Sequence, residues 1–364
     1  MPRCRTRTAL LPVVLAALAG AGPMAAAAEH AVILLYHHVA EDTPASTSVS
    51  PATFAGHLDY LQANDYRVLP LSRIIAALSD PSAPALPERA VAITFDDAYR
   101  SVYSQAAPLL ARHGYPFAVF VSTDYIDAGF GNYLTWEELR ELEARGVEVA
   151  NHSRSHPHYL LRRADESEAD WRQRIATDMR AAAQRLDEEL KEPLRAIAYP
   201  YGEFDPALTE LTAELGLVGF GQQSGPVGRA SNLQALARFP MAGRYADTDG
   251  LAEKLRTRPF AVTVLSDVGP VLDATPVAPT LRLRLEAEDA SMDALACFVS
   301  GQRPPEVRWI DRERGVVEVT ARAPLPTGRS KYTCTAPARA GGRVFYWYSH
   351  LWMTPPGPHA WYRD

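Results

Sequence analysis

Cysteine is scarce in this chain. There are three in 364 residues, and none stands in a CxxC spacing. A thiolate metal cluster or a dithiol redox centre therefore has no support. Excess basic charge is missing too. Lysine and arginine number 37 against 43 acidic residues, for a formal net charge of −6, so bulk charge does not call for nucleic acid as a partner. Past residue 28 no apolar run approaches the roughly 20 residues that a bilayer span needs. No internal repeat appears either. What remains is ordinary globular composition: 47% of residues are hydrophobic, enough for a packed core. The length suits roughly two domains of about 100–200 residues.

The first 28 residues have a different character. Arg3, Arg5 and Arg7 make a basic start, residues 9–21 are apolar and small, and residues 25–28 are all alanine. This is the layout of a secretory signal peptide, with an uncleaved membrane anchor as the other reading. It predicts an exported protein, in the periplasm, extracellular or at the cell surface, with no transmembrane segment once the leader is removed. Cys4 leaves with the leader. Cys297 and Cys334 are then an even pair in an oxidising compartment, and a disulfide between them is expected.

From about residue 29 to 264 the pattern alternates short apolar runs with amphipathic stretches. Residues 32–36, 91–95, 117–121, 147–150 and 196–199 read as buried strands. Residues 51–64 carry Phe54, Leu58 and Leu61 at helical spacing. Thr135 and Glu138 have the layout of a capping box. Residues 166–190 place Trp171, Ile175, Met179 and Leu186 along one helical stripe. This alternation predicts an α/β fold on a mostly parallel sheet, barrel or open. Residues 265–279, with three prolines, read as a linker. Residues 280–364 show strict alternation at 281–285 and further strand-like runs at 307–310, 316–320, 331–335 and 344–348. They predict a small all-β sandwich.

Three segments carry chemistry, each just past a predicted strand, where parallel α/β folds build their sites. Asp96 and Asp97 follow the strand at 91–95. Adjacent carboxylates repel, so burying both requires a cation or compensating hydrogen bonds. A solvated turn is the other reading. His152 and His156 are four apart and can converge on one cation, or be surface histidines. Taken together, two histidines and one aspartate make a three-ligand set, the composition of a catalytic metal centre rather than a structural one. The third segment is the loop Pro200-Tyr201-Gly202. Proline fixes φ and glycine permits a tight turn, and such a loop can aim a backbone N–H at a developing oxyanion.

In this order and spacing, Thr94-Phe95-Asp96-Asp97, His152-Ser-Arg-Ser-His156 and Pro200-Tyr201-Gly202 resemble the polysaccharide deacetylase family, with its NodB homology domain (carbohydrate esterase family four). The resemblance covers about residues 31–260. It implies a distorted (β/α) barrel, a divalent metal ion, usually zinc, held by Asp97, His152 and His156, and Asp96 as general base. It also implies the Tyr201 backbone N–H as an oxyanion donor and an N-acetylated polysaccharide as substrate.

The sequence departs from the family pattern twice. Ala198 stands where the third motif often has arginine, and the late Leu-x-His motif is replaced by Leu265-Ser266-Asp267. Leu35-Tyr36-His37-His38-Val39 on the first strand resembles the circularly permuted branch, the poly-N-acetylglucosamine deacetylases of the PgaB and IcaB type. That resemblance implies His37 as general acid. His38 should face the other way. Arg238 is the candidate replacement for the missing arginine.

Other functions compatible with the sequence are a non-catalytic carbohydrate-binding protein on a decayed barrel, or a deacetylase of peptidoglycan, chitin oligomers or acetylated xylan. In the C-terminal domain, alternation within 345–348 places Tyr346 and Tyr348 outward, where they could stack on sugars, and Phe345 and Trp347 in the core. Packing alone is the other reading of all four.

Overall fold

The computed structural model describes residues 27–272, 277–357 and 360. Residues 1–26 of the expected leader, with Cys4, and residues 273–276 of the expected linker lie outside them. The last two residues of that leader, Ala27 and Ala28, pair antiparallel with Leu86–Pro87. Among the described residues no helix is long and apolar enough to cross a membrane.

Nine strands of the described residues pair into the first layer, and seven parallel ones carry it. They are β1 (His30–Tyr36), β2 (Ala90–Phe95), β3 (Ala118–Val121), β4 (Glu148–Asn151), β5 (Leu194–Ala198), β6 (Val218–Phe220) and β7 (Phe239–Pro240). The first six lie side by side in chain order, and β7 pairs with the outer side of β1, whose start pairs antiparallel with residues 227–228. The sheet curls. Leu236 bridges to Phe220 on β6, while Phe239 and Pro240 pair with Leu34 and Leu35 on β1, so residues 236–240 touch both edges.

These strands are apolar on both faces because both are covered; all six residues of β2 are buried. Their side chains alternate between two clusters. Leu34, Val91, Ile93, Phe95, Val119, Val121 and Val149 face the surrounding helices. Ile33, Ala92, Ala118, Phe120, Ala150, Ala196, Ala198 and Phe220 face inward. The period of two continues past the strand ends, which puts residues 37, 96 and 152 on the inner face.

Among the described residues, the longer helices that pack around the sheet are α1 (Pro51–Ala63), α2 (Leu71–Ser79), α3 (Ala107–His113), α4 (Trp136–Ala144), α5 (Glu168–Glu189), α6 (Pro206–Glu214) and α7 (Thr248–Leu255). Their starts follow local chemistry. The Ser50 hydroxyl accepts from Thr53 N–H at 3.0 Å with Pro51 in the first turn, and Thr135 and Glu138 cap each other reciprocally at α4. Each such cap is worth about 1 kcal/mol. α5 buries Trp171, Ile175, Met179 and Leu186 on one stripe.

The all-β region contains two four-stranded sheets. One has the order β8 (Thr257–Pro259), β15 (Phe345–Thr354), β14 (Gly328–Pro337) and β11 (Ala296–Val299). The other has β9 (Ala261–Val264), β10 (Thr280–Glu286), β13 (Val316–Thr320) and β12 (Glu306–Asp311). Leu281, Leu283, Leu285, Val317, Tyr332 and Trp352 share one apolar cluster between them. The expected boundary at residue 264 put β8 and β9 in the first domain. Both strands instead pair into these sheets, β8 with β15 and β9 with β10.

The facing of residues 345–348 is the reverse of the expectation. Tyr346 and Tyr348 pack in the β cluster. Phe345 is exposed, and Trp347 turns to the first layer and packs edge-on against Phe239. Alternation gives the period of two, but which face counts as outside depends on the neighbouring region.

Cys297 and Cys334 oppose each other on β11 and β14 and are disulfide-bonded, with Cα atoms 4.1 Å apart. The bond closes a loop of 37 residues in sequence. Replacing both cysteines by serine should therefore lower unfolding stability by about 2–4 kcal/mol. Urea denaturation of both proteins checks this, and reducing the native protein should shift its midpoint the same way.

Candidate metal and catalytic site

The ends of β1, β2, β4 and β5 and the closing segment 236–240 deliver the side chains. All seven candidate residues, His37, Asp96, Asp97, His152, His156, Tyr201 and Arg238, gather at this mouth of the curled sheet. The backbone there is unusual. Nine described non-glycine residues have positive φ, and five of them are Asp97, Ala98, Ser153, His156 and Tyr201. Left-handed backbone at such residues persists only where the surroundings hold it, and it clusters at functional sites. At Asp97 it has a direct effect: the chain turns just past β2, so that two successive carboxylates serve one site.

Asp96 and Arg238 are both fully buried and form a two-pronged ion pair, with Nη1 2.7 Å from Oδ1 and Nη2 2.8 Å from Oδ2. Arg238 Nε donates to the Gly221 carbonyl at 3.0 Å, and its guanidinium lies near the rings of Phe120 and Phe220. Burial alone would raise the Asp96 carboxyl. Arg238 and His152 outweigh it and hold the group below the usual carboxylate range. Ala198, at the position where the resemblance expects arginine, is buried on the inner face. The guanidinium reaches the carboxylate from the closing segment instead.

Asp97, His152 and His156 each offer a ligand atom, and these atoms lie within 4.8 Å of one another. Asp97 Oδ1 is 3.2 Å from His152 Nε2 and 3.4 Å from His156 Nε2. His152 Nδ1 lies 2.8 Å from the Ala198 carbonyl, which requires the proton on Nδ1 and leaves the Nε2 lone pair available to a cation. That Nε2 is buried, and the group it faces is the Asp97 carboxylate. Two imidazole nitrogens and a carboxylate oxygen facing one another are three electron donors, and the set fits a divalent cation.

The charges around these residues fit as well. For Asp97, burial opposes ionisation, but the hydrogen-bonding and charge of His152 hold its carboxyl far below the usual range. For His152, burial is overcome by Asp96 and Asp97, which raise it. Burial and the charge of His152 push His156 down to about 4, so its ring is neutral at neutral pH.

Sequence reasoning missed the supports. Asn151 Oδ1 accepts from Ser153 N–H at 2.7 Å, and Ser153 Oγ accepts from His156 N–H at 2.8 Å, which builds the turn between the two histidines. The Tyr201 ring stacks on His158 at 3.8 Å and meets His156 edge-on at 4.4 Å. His158 Nδ1 is 3.0 Å from the buried Glu203. Gly202 is required: a Cβ there would lie 2.5 Å from Gln222. Asn beside His152 and Glu beside Gly202 were the available signals, and both are weak in isolation.

His37 is within the field of Asp97, Asp96, Arg238 and His152, and burial pushes its imidazole below the ordinary value. His38 instead stacks on Tyr99 at 3.6 Å. Tyr99 in turn stacks on Tyr133, and Tyr133 on Tyr125.

Removing one partner of a buried pair leaves an uncompensated charge. Arg238→Ala should therefore lose about 3–5 kcal/mol of stability, read from urea denaturation. Arg238→Lys should lose less, because it keeps the charge but not the fork.

Residues 83–220 match the family model described as polysaccharide deacetylase. The chain is 26% identical over 246 residues to the poly-beta-1,6-N-acetyl-D-glucosamine N-deacetylase of Escherichia coli, covering 58% of this chain and 36% of that protein. It is 29% identical over 161 residues to the protein of the same name from Staphylococcus epidermidis, covering 43% of this chain and 54% of that one. The chain thus spans between about a third and a half of these two relatives. The structure of IcaB from Ammonifex degensii superposes with a TM-score of 0.54 at 25% identity, covering 63% of this chain and 98% of that one.

Proposed function

We propose, on the premise that this chain is a hydrolase of the polysaccharide deacetylase family, that it removes N-acetyl groups from an N-acetylglucosamine polymer of the poly-β-1,6-linked type. The carrying observation is the Asp97–His152–His156 set beside a second, arginine-paired carboxylate at one mouth of the sheet. A decayed, purely carbohydrate-binding barrel would have no need to bury Asp96 and Arg238 against each other. The names of the two relatives favour poly-N-acetylglucosamine over peptidoglycan, chitin oligomers or acetylated xylan. We read the all-β region as a sandwich-type accessory domain and the protein as exported.

Asp97, His152 and His156 would hold the divalent ion, zinc by the chemistry of two imidazoles and one carboxylate. Bound there, such an ion would supply Lewis-acid chemistry toward the acetamide carbonyl and an attacking water. Arg238 keeps Asp96 ionised and fixed in orientation. Asp96, ionised and held by that pairing, takes the proton of the attacking water. The hydroxide equivalent adds to the carbonyl carbon, and the Tyr201 N–H donates to the oxyanion that forms. The C–N bond then breaks as His37 gives a proton to the leaving amine. Acetate and a free glucosamine unit leave.

Acetate release from β-1,6-linked N-acetylglucosamine oligomers tests this. Asp96→Asn and His37→Ala should each lower kcat by about 10²–10⁴. A chelator should abolish release, and zinc should restore it. Undiminished release from Asp96→Asn would overturn the assignment.

A further inference from the structure

The all-β region has no assigned role, yet one face of it rests on the catalytic loops. On β14 the side chains alternate. Ser330, Tyr332 and Cys334 are buried within the β region, while Arg329 and Lys331 point to the first layer. Arg329 Nη1 donates to the carbonyl of Tyr201, and its guanidinium lies 5.9 Å from the Tyr201 ring centre. Lys331 Nζ lies 3.3 Å from Ser224 Oγ. On the neighbouring strand, Trp347 Nε1 donates to the Ser224 carbonyl at 2.8 Å, and its ring meets Phe239 edge-on.

These contacts fall on two particular places. Tyr201 has φ +60° and is followed by Gly202 at +70°. A left-handed tyrosine stays put only where several contacts hold it. Ser224 adjoins Gln223, whose carbonyl accepts from the Arg238 N–H at 3.1 Å. Gln222, one residue earlier, is the group that excludes a side chain at position 202. The β region therefore grips the loop of the proposed oxyanion donor and the segment that seats the arginine of the proposed base. A module that only bound polymer would need no such contacts.

We infer that the C-terminal β region is a positioning element of the active site. Arg329 holds Tyr201 by its carbonyl, and Trp347 with Lys331 fixes the Ser224 segment behind Arg238. The catalytic consequence rests on the deacetylase reading; the mechanical one does not.

The test uses the full chain. Arg329 is exposed, so Arg329→Ala should fold with an unchanged urea midpoint. It should lower kcat on a short N-acetylglucosamine oligomer by roughly tenfold or more, with KM little changed, and Arg329→Lys should recover part of the loss. Amide hydrogen exchange at Gly202 and Glu203 should quicken in Arg329→Ala. Trp347→Phe keeps a ring but removes the donor to Ser224, and should quicken exchange at the Arg238 amide. Unchanged exchange in both variants would overturn the inference. So would a rise in KM confined to long polymers with kcat intact, which is the signature of a binding module. If the native protein releases no acetate, the deacetylase reading falls, and the exchange measurements still decide whether the β region holds these loops.

Discussion

The site depends on a buried ion pair. Taking a carboxylate and a guanidinium out of water costs several kcal/mol per ion, and Asp96 and Arg238 have no exposure at all. The pairing is tolerable because it is two-pronged and because the Gly221 carbonyl accepts a further proton of the guanidinium. Hydrophobic replacements of buried pairs are often as stable or more so, so stability alone does not explain the arrangement. Its product is a carboxylate that is ionised and fixed in orientation, beside the three-donor set. Asp97, one residue on, would otherwise repel it. The two acids coexist because each has its own positive partner, Arg238 for one and the histidine side for the other.

The second constraint is backbone geometry. The inner-face period of two supplies residues 37, 96 and 152 without special chemistry. It cannot supply Asp97, His156 or Tyr201, which lie two or more residues beyond their strands. Left-handed backbone at each brings them in. The strain is held locally, by Asn151 and Ser153 at the histidine turn and by the His158–Glu203 pair beneath Tyr201. Hydrogen bonds within the turn therefore fix how the two histidines are presented, and a flexible loop would not.

Much of this was legible in the sequence, for identifiable reasons. β1 to β5 are apolar on both faces, and such runs are visible without any partner. The capping box at Thr135 and the stripe of α5 are local signals and could be read directly. The spacing of Asp96, Asp97, His152 and His156 carried the chemistry. Arg238 was found only because Ala198 left a guanidinium unaccounted for. β7 and β8 were invisible, since strands of two or three residues have no period to detect. Their pairing is set by the rest of the fold. The faces of β15 were assigned backwards for a related reason. Alternation identifies two faces, but here the face away from the β cluster is not solvent. It meets the first layer, and no local pattern in residues 345–348 says so.

That reversal bears on how the parts assemble. Residues 236–240 do two things within five positions. Leu236 and Phe239 join β6 to β1 and curl the sheet upon itself. Arg238, between them, points inward to Asp96 just past β2. Curling the sheet and pairing the buried carboxylate are therefore one event, and a sheet left open would strand a charge in its own core. From the other side, Trp347 leans on Phe239 and holds the Ser224 carbonyl. The β region thus braces the same short segment from without, while the ion pair holds it from within. A loss on either side is felt at Asp96, although Trp347 and Asp96 are more than 200 residues apart in sequence.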